Sequence, residues 1–151
     1  MQFQFEIHKQ TRQHFLSILK KHSIEELNTI PEGFNNNLIW NAGHCLSSQQ
    51  GLQYGLSGLE MKIDQSFVEK FKKGSSPLIQ HDQNTVNQIK TLLLETSDQL
   101  KEDYNSGIFK NYNEYQTSYG ITLQSIEDAI PFNNGHEMLH LGYMMALSRA
   151  L

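Results

Sequence analysis

His136, Glu137, Met138, Leu139 and His140 form the stretch of this 151-residue chain where residue type and spacing point most directly to chemistry. Residues four apart on a helix project from one face, so His136 and His140 can offer two imidazoles to one metal ion. The best candidate for a third ligand is His44, which sits among apolar and small residues where an unpaired imidazole would be costly. Gly43, Ser47, Ser48 and Gly51 remove bulk around it, allowing close helix approach or room for a ligand and water. One histidine from one helix and a pair from another would make a tris-histidine site with open positions, as catalytic zinc centres are built. Neutral imidazole serves Zn, Ni, Co or Fe comparably, and a ligand set without carboxylates disfavours Mg and Ca.

The same five residues match the HExxH pattern of zinc metalloproteases, whose third ligand lies further along the chain. Only eleven residues follow His140, and none is His, Asp or Glu, so the protease reading fails. Glu137 is a candidate general base on metal-bound water. A helix turns about 100° per residue, so Glu137 can equally orient a ligand or face solvent. Trp40, one turn before His44, and Tyr143, on a stripe with His136, Leu139, His140, Leu147 and Ala150, are candidate pocket walls. That stripe is expected to turn both histidines inward. Cys45 is expected to be a small buried hydrophobe and not a nucleophile. His8, His14, His22 and His81 stand among Lys, Gln and Asp and are expected to be solvated. The alternative to a metal site is a metal-free interior in which His136 and His140 bond to hydroxyls and His44 is an isolated buried imidazole.

Composition narrows the partners. Twelve Lys and Arg against sixteen Asp and Glu give a net charge of -4, and basic residues cluster no further than pairs such as Lys72-Lys73. A surface that tracks phosphates is not visible, so nucleic acid is not expected. No stretch approaches the roughly 20 apolar residues that cross a bilayer, and the first residues lack a basic segment followed by an apolar run, so no membrane partner and a cytoplasmic location are expected. A single cysteine fits a reducing compartment and removes Cys-rich zinc sites. There is no G-x-S-x-G elbow and no phosphate-binding glycine loop.

The elements that must position these residues are helical. Phe15, Ile18, Leu19 and Leu27 predict a first helix over about Phe5 to Leu27. A turn-rich loop over Asn28 to Asn37 leads into a second helix, carrying His44 and ending near Gly55 or Gly58. A long connection to His81 holds one short helical turn around Phe67 to Phe71. Val86, Ile89, Leu93 and Leu100 mark a third helix, opened by Asp82 or Asn84. Asn105 to Gly120 reads as an ordered loop anchored by tyrosines. Thr122 can cap a short helix stopped at Pro131, and Asn133 or Asn134 can cap the last helix. The result is a single all-α domain over residues 1–151, with four main helices and an extra short one.

The run from Ile30 through Trp40-Asn41-Ala42-Gly43-His44, with His136-Glu137-Met138-Leu139-His140-Leu141-Gly142-Tyr143 far downstream and the ending Ala146 to Leu151, resembles the DinB-like (DinB/YfiT) superfamily over nearly the whole chain. The W-N-x-G-H segment on one helix paired with H-x-x-x-H on another is more restrictive than HExxH alone. The resemblance implies a four-helix bundle with a long crossover connection, and a divalent metal held by His44, His136 and His140. It also implies a bacterial homodimer, and metal-dependent enzymes of this kind act with low-molecular-weight thiols such as bacillithiol or mycothiol.

These readings together predict a metal-dependent transferase or hydrolase acting on a small molecule, by thiol-dependent S-transfer or metal-assisted hydrolysis. The competing expectation is a non-catalytic, metal-stabilised stress-response scaffold.

Overall fold

Apolar residues every three to four positions wind the amino-terminal segment into α1 (Gln2–Leu19), which buries Phe5, Phe15, Ile18 and Leu19. The structure, a computed structural model, describes residues 1–151. The helix expected to reach Leu27 stops at Leu19, because Ser23 and Glu26 open a separate α2 (Ile24–Asn28) through a capping box. Glu26 N donates to the Ser23 hydroxyl at 3.3 Å, and Ser23 N donates to the Glu26 carboxylate at 2.7 Å.

Asn37 caps α3 (Leu38–Gln50), accepting a hydrogen bond from Trp40 N at 2.8 Å. Its amide nitrogen donates to the carbonyls of Asn28 and Pro77, which fixes where α3 begins. The helix runs on into a π-helical turn, Gly51–Gly55, closed by Leu56 N donating to Gly51 O, so it ends where the glycines predict. Within the long connection lies α4 (Gln65–Phe71), at the expected place. Asp82 caps α5 (Gln83–Asn105). The loop that follows is anchored by Tyr112, whose hydroxyl donates to Leu52 O at 2.9 Å. It ends in a two-stranded antiparallel ribbon, β1 (Tyr115–Gln116) with β2 (Thr122–Leu123), in which Tyr115 faces Leu123.

Two expected carboxy-terminal helices are one, α6 (Ile126–Ala150), capped by Ser125 and containing Pro131. Thr122 lies in β2 and caps nothing, and the extra helix before Pro131 does not exist as a separate element. A proline inside a helix costs about 3 kcal/mol or more through a lost hydrogen bond and a clash with the carbonyl four residues back. Burial on both sides of it, through Ala129 and Ile130 before and Asn133, Asn134 and Glu137 after, outweighs that cost, and Pro131 itself is exposed.

The four long helices pack on one another: α1 lies against α5 and α6, and α3 against α5 and α6. The main core joins Phe15, Leu19, Leu38, Leu46, Leu93 and Leu147, and a smaller one gathers Phe5, Leu100 and Leu123 against the start of α6. Between them lies a polar layer centred on Arg12, which is 0% exposed. The all-α class read from the sequence is the observed one, and no helix is long and apolar enough to cross a membrane.

Candidate metal centre

His44 projects from the middle of α3, and His136 and His140 project one turn apart from α6. One nitrogen from each of the three rings lies within 4.8 Å of the others. The ring centroids of His44 are 5.4 Å from those of His136 and 5.1 Å from those of His140, and the α6 pair is 4.6 Å apart. The constellation expected from spacing on two distant segments is thus assembled by the packing of α3 on α6.

Two of the rings are held in a definite tautomer. His44 Nδ1 lies 2.9 Å from the carbonyl oxygen of Phe71, which can only accept, so Nδ1 carries the proton and Nε2 keeps the lone pair. Phe71 is the last residue of α4, where a helix leaves carbonyls without internal partners, and His44 satisfies one of them. Ser48 Oγ donates to His44 Nε2 at 3.2 Å. Trp40 stacks on the other side, 4.7 Å between centroids and 5° from parallel, with its indole N–H donated to Ser75 Oγ.

His140 Nδ1 lies 2.8 Å from Asn41 Oδ1. The Asn41 amide nitrogen donates to Asn36 Oδ1 and to Asn37 O, which orients the amide and leaves its oxygen to accept from His140. His140 therefore keeps its Nε2 lone pair as well. Carbonyl groups behind imidazoles in this way fix ring orientation and raise ligand basicity. His136 differs: its Nδ1 is buried and has no hydrogen-bond partner. A buried polar atom of this kind is costly, and it is accounted for if the ring serves as a metal ligand.

Burial holds all three imidazoles neutral. It lowers the pKa of His136 to about 4, helped by the nearby His44, and that of His140 to about 3, helped by His136 and His44. His44 is lowered too, by burial first, against the hydrogen bond to Phe71 that raises it. Neutral imidazoles with oriented lone pairs suit a borderline divalent transition ion, so the residues fit the group.

The sign of the pH effect follows. Each ring binds its proton more weakly folded than at its ordinary value of 6.5, so the unfolded chain takes up more protons on acidification. Metal-free protein is expected to keep its full stability above about pH 6.5 and to lose it as pH falls toward the folded values near 4 and 3. A melting temperature that stays level from pH 7 to pH 4 would contradict this.

Glu137 lies elsewhere. It is 0% exposed and faces the interior of the bundle, where its carboxylate accepts from Arg12 Nε and Nη2 at 2.7 Å each and from Asn133 Nδ2 at 2.8 Å, with His8 Nε2 at 3.2 Å. Burial raises its pKa, but the charges and hydrogen bonds of Arg12 and His8 outweigh this and hold it well below the carboxylate range. A carboxylate committed to an ion pair is a poor general base, and the step of about 100° from His136 is the reason the two side chains part. The same offset corrects the expected stripe. Leu139 is 68% exposed, and the face of α6 in the core runs through Ile130, Asn133, Glu137 and Met144, with the histidines at its edge.

Tyr143 stands beside His140 in a shallow hollow, packs edge-on to Phe34 and accepts a hydrogen bond from Asn35 N. Trp40 backs His44 and is not among the residues lining the cleft next to it. That cleft, of about 380 Å³, is lined by His44, His136, Ser48, Leu52, Lys73 and Phe132 among others. Cys45 is buried, and burial pushes its thiol pKa up, as expected of an inert cysteine.

Three of the four histidines expected in solvent are not there. His8 is buried between Glu137 and Ser97, His81 is buried against Phe71, and His22 is half-buried on Ser148; only His14 is exposed. For His8 the polar neighbours misled because α1 carries them on another face, whereas His22 and His81 lie outside the helices and are covered by residues distant in sequence. Sequence reasoning also passed over Asn41, which belongs to the W-N-x-G-H run, and Phe71 and Arg12, which no local pattern marks.

A family model described as the DinB superfamily matches residues 7–144, a span that contains all three clustered histidines. The crystal structure of a conserved protein from Enterococcus faecalis is similar in fold, with a TM-score of 0.70 at 14% identity, covering 99% of this chain and 95% of that one. No curated protein matches.

Proposed function

This chain belongs to the DinB superfamily, and from that premise we propose that it is a divalent-metal-dependent enzyme acting on a small molecule, by thiol-dependent S-transfer or by hydrolysis. The observation that carries the reading is the cluster of three neutral imidazoles, within 4.8 Å of one another, two of which, His44 and His136, line a cleft of about 380 Å³. His44, His136 and His140 would hold the ion. A divalent ion there supplies Lewis acidity, which favours loss of a proton from a thiol or a water. The chain's own contribution is orientation and desolvation. Phe71 O and Asn41 Oδ1 keep the Nδ1 protons of His44 and His140 turned away from the cluster, and Trp40 fixes the plane of His44. Leu52, Leu56 and Phe132 give the cleft an apolar wall against which a substrate's hydrocarbon can displace water.

The contacts of His44 with α4 also support a second reading, a metal that staples α3 to α6 without catalysis. The test begins with elemental analysis of untagged protein after reconstitution with zinc, cobalt or nickel. Wild type is expected to hold about one ion per chain and His44→Ala none, with Asn41→Ala weakened about 10- to 100-fold in affinity through loss of the His140 hydrogen bond. Wild-type protein without metal would overturn both readings. With metal present, spectra of the cobalt form that shift on adding thiols or azide support an open, catalytic site, and spectra that do not shift leave the staple.

A further inference from the structure

The cleft beside His44 and His136 has an unusual charge for this chain. The protein carries sixteen acidic residues against twelve basic ones, yet no Asp or Glu lines the cleft, and Lys72 and Lys73 both do. The two lysines are rooted there by geometry. They follow Phe71, whose carbonyl is fastened to His44, so the chain leaving α4 passes along the rim within two residues of that hydrogen bond. Lys72 is ion-paired with Glu69 on the preceding turn. Lys73 has no carboxylate partner and is exposed. Around them the walls divide by chemistry, with Leu52, Leu56, Val68 and Phe132 apolar and Ser118 offering a hydroxyl. A pocket with an apolar wall and one unneutralised cation recognises an amphiphilic anion, because the cation has no internal ion pair to break and the wall takes up the hydrocarbon.

Resting on the metal-dependent reading above, we propose that this cleft takes a small organic molecule bearing an oxyanion, a carboxylate or phosphate, with Lys73 as the group that anchors it. The hydrocarbon of the ligand lies on Leu52, Leu56 and Phe132, which orients its other end toward His44 and His136. Lys72 contributes less, since Glu69 competes for it.

A matched pair of probes tests this: 3-phenylpropionate and 3-phenylpropanol differ in the oxyanion and little else. Their affinities are measured by calorimetry at low salt on wild type, Lys73→Gln and Lys73→Glu, with metal-free and zinc-loaded protein, beside the metal content of each sample. The carboxylate is expected to bind about threefold to tenfold tighter than the alcohol to both forms of wild type. In metal-free protein Lys73→Gln is expected to abolish the preference and Lys73→Glu to reverse it, and because Lys73 is exposed both variants should keep the wild-type melting temperature. Equal binding of the two probes, no binding of either at millimolar concentration, or a preference that survives in metal-free Lys73→Gln would overturn the assignment. A Lys73-dependent preference in protein that takes up no metal would support the oxyanion site while sinking the metal-dependent function; metal uptake without the preference would do the opposite.

Discussion

Replacing Arg12 by Met is expected to destabilise the protein by about 3–5 kcal/mol, the cost of leaving a buried charge without its partner. The guanidinium is 0% exposed and reaches three other helices at once: it donates to Glu137 on α6, to Gln49 on α3 and to Thr96 on α5 from its place on α1. Methionine fills a similar volume, so little of the loss comes from a cavity. Glu137, its pKa depressed in the native protein, contributes stability that is present above about pH 4.5 and is lost as pH falls through the depressed folded value. In Arg12→Met that benefit disappears, so the penalty is largest at neutral pH and shrinks on acidification. The double variant Arg12→Met, Glu137→Met is expected to cost much less than the sum of the two single changes, because it removes both charges together. Urea unfolding of the four proteins measures this, and additive costs, or a single-variant cost below about 1 kcal/mol, would show that the pair is not coupled as the geometry requires.

Gly43→Ala reverses a familiar sign. In a helix interior this change ordinarily gains about 0.5–1 kcal/mol. Here a Cβ at position 43 would overlap the ring of Phe71, so α4 must move away from α3. The expected outcome is a net loss of about 1–3 kcal/mol from overpacking. The same displacement pulls Phe71 O from His44 Nδ1, so metal affinity should fall along with stability. Gly51→Ala serves as the control, since nothing lies within 4 Å of an added Cβ there and its metal affinity should hold. Wild-type affinity in Gly43→Ala would mean that the α4 carbonyl does not tune the site.

That glycine shows how far the chain can be read without coordinates. Trp40-Asn41-Ala42-Gly43-His44 was legible as a unit, and three of its members serve the histidines: Trp40 stacks on His44, Asn41 holds His140, Gly43 admits Phe71. The jobs themselves were not legible, because two of the three concern Phe71 and His140, which lie on other elements far along the chain. The loop that caps α3 and the pair of candidates, Asp82 or Asn84, for the cap of α5 were readable, since a cap is a local hydrogen bond. The capping box at Ser23 was equally local and was passed over in favour of a continuing apolar stripe. Pro131 misled in the other direction, because its cost is a local rule and the burial that overrides it is not.

Helical periodicity and the spacing of His136 and His140 are properties of neighbouring residues, so order alone made the all-α class and the α6 histidine pair legible and offered His44 as the candidate that the tertiary structure brings beside them. Which face each residue turns to the interior is decided by what the other helices bring. A shift of one residue is about 100° of rotation. On α6 that rotation separates His136, beside the cleft, from Glu137, locked to Arg12 across the core. The same is true of His8 and of Lys73: one is drawn out of water by Glu137 and Ser97, the other is left unpaired at the edge of a cleft whose walls come from four separate segments of the chain.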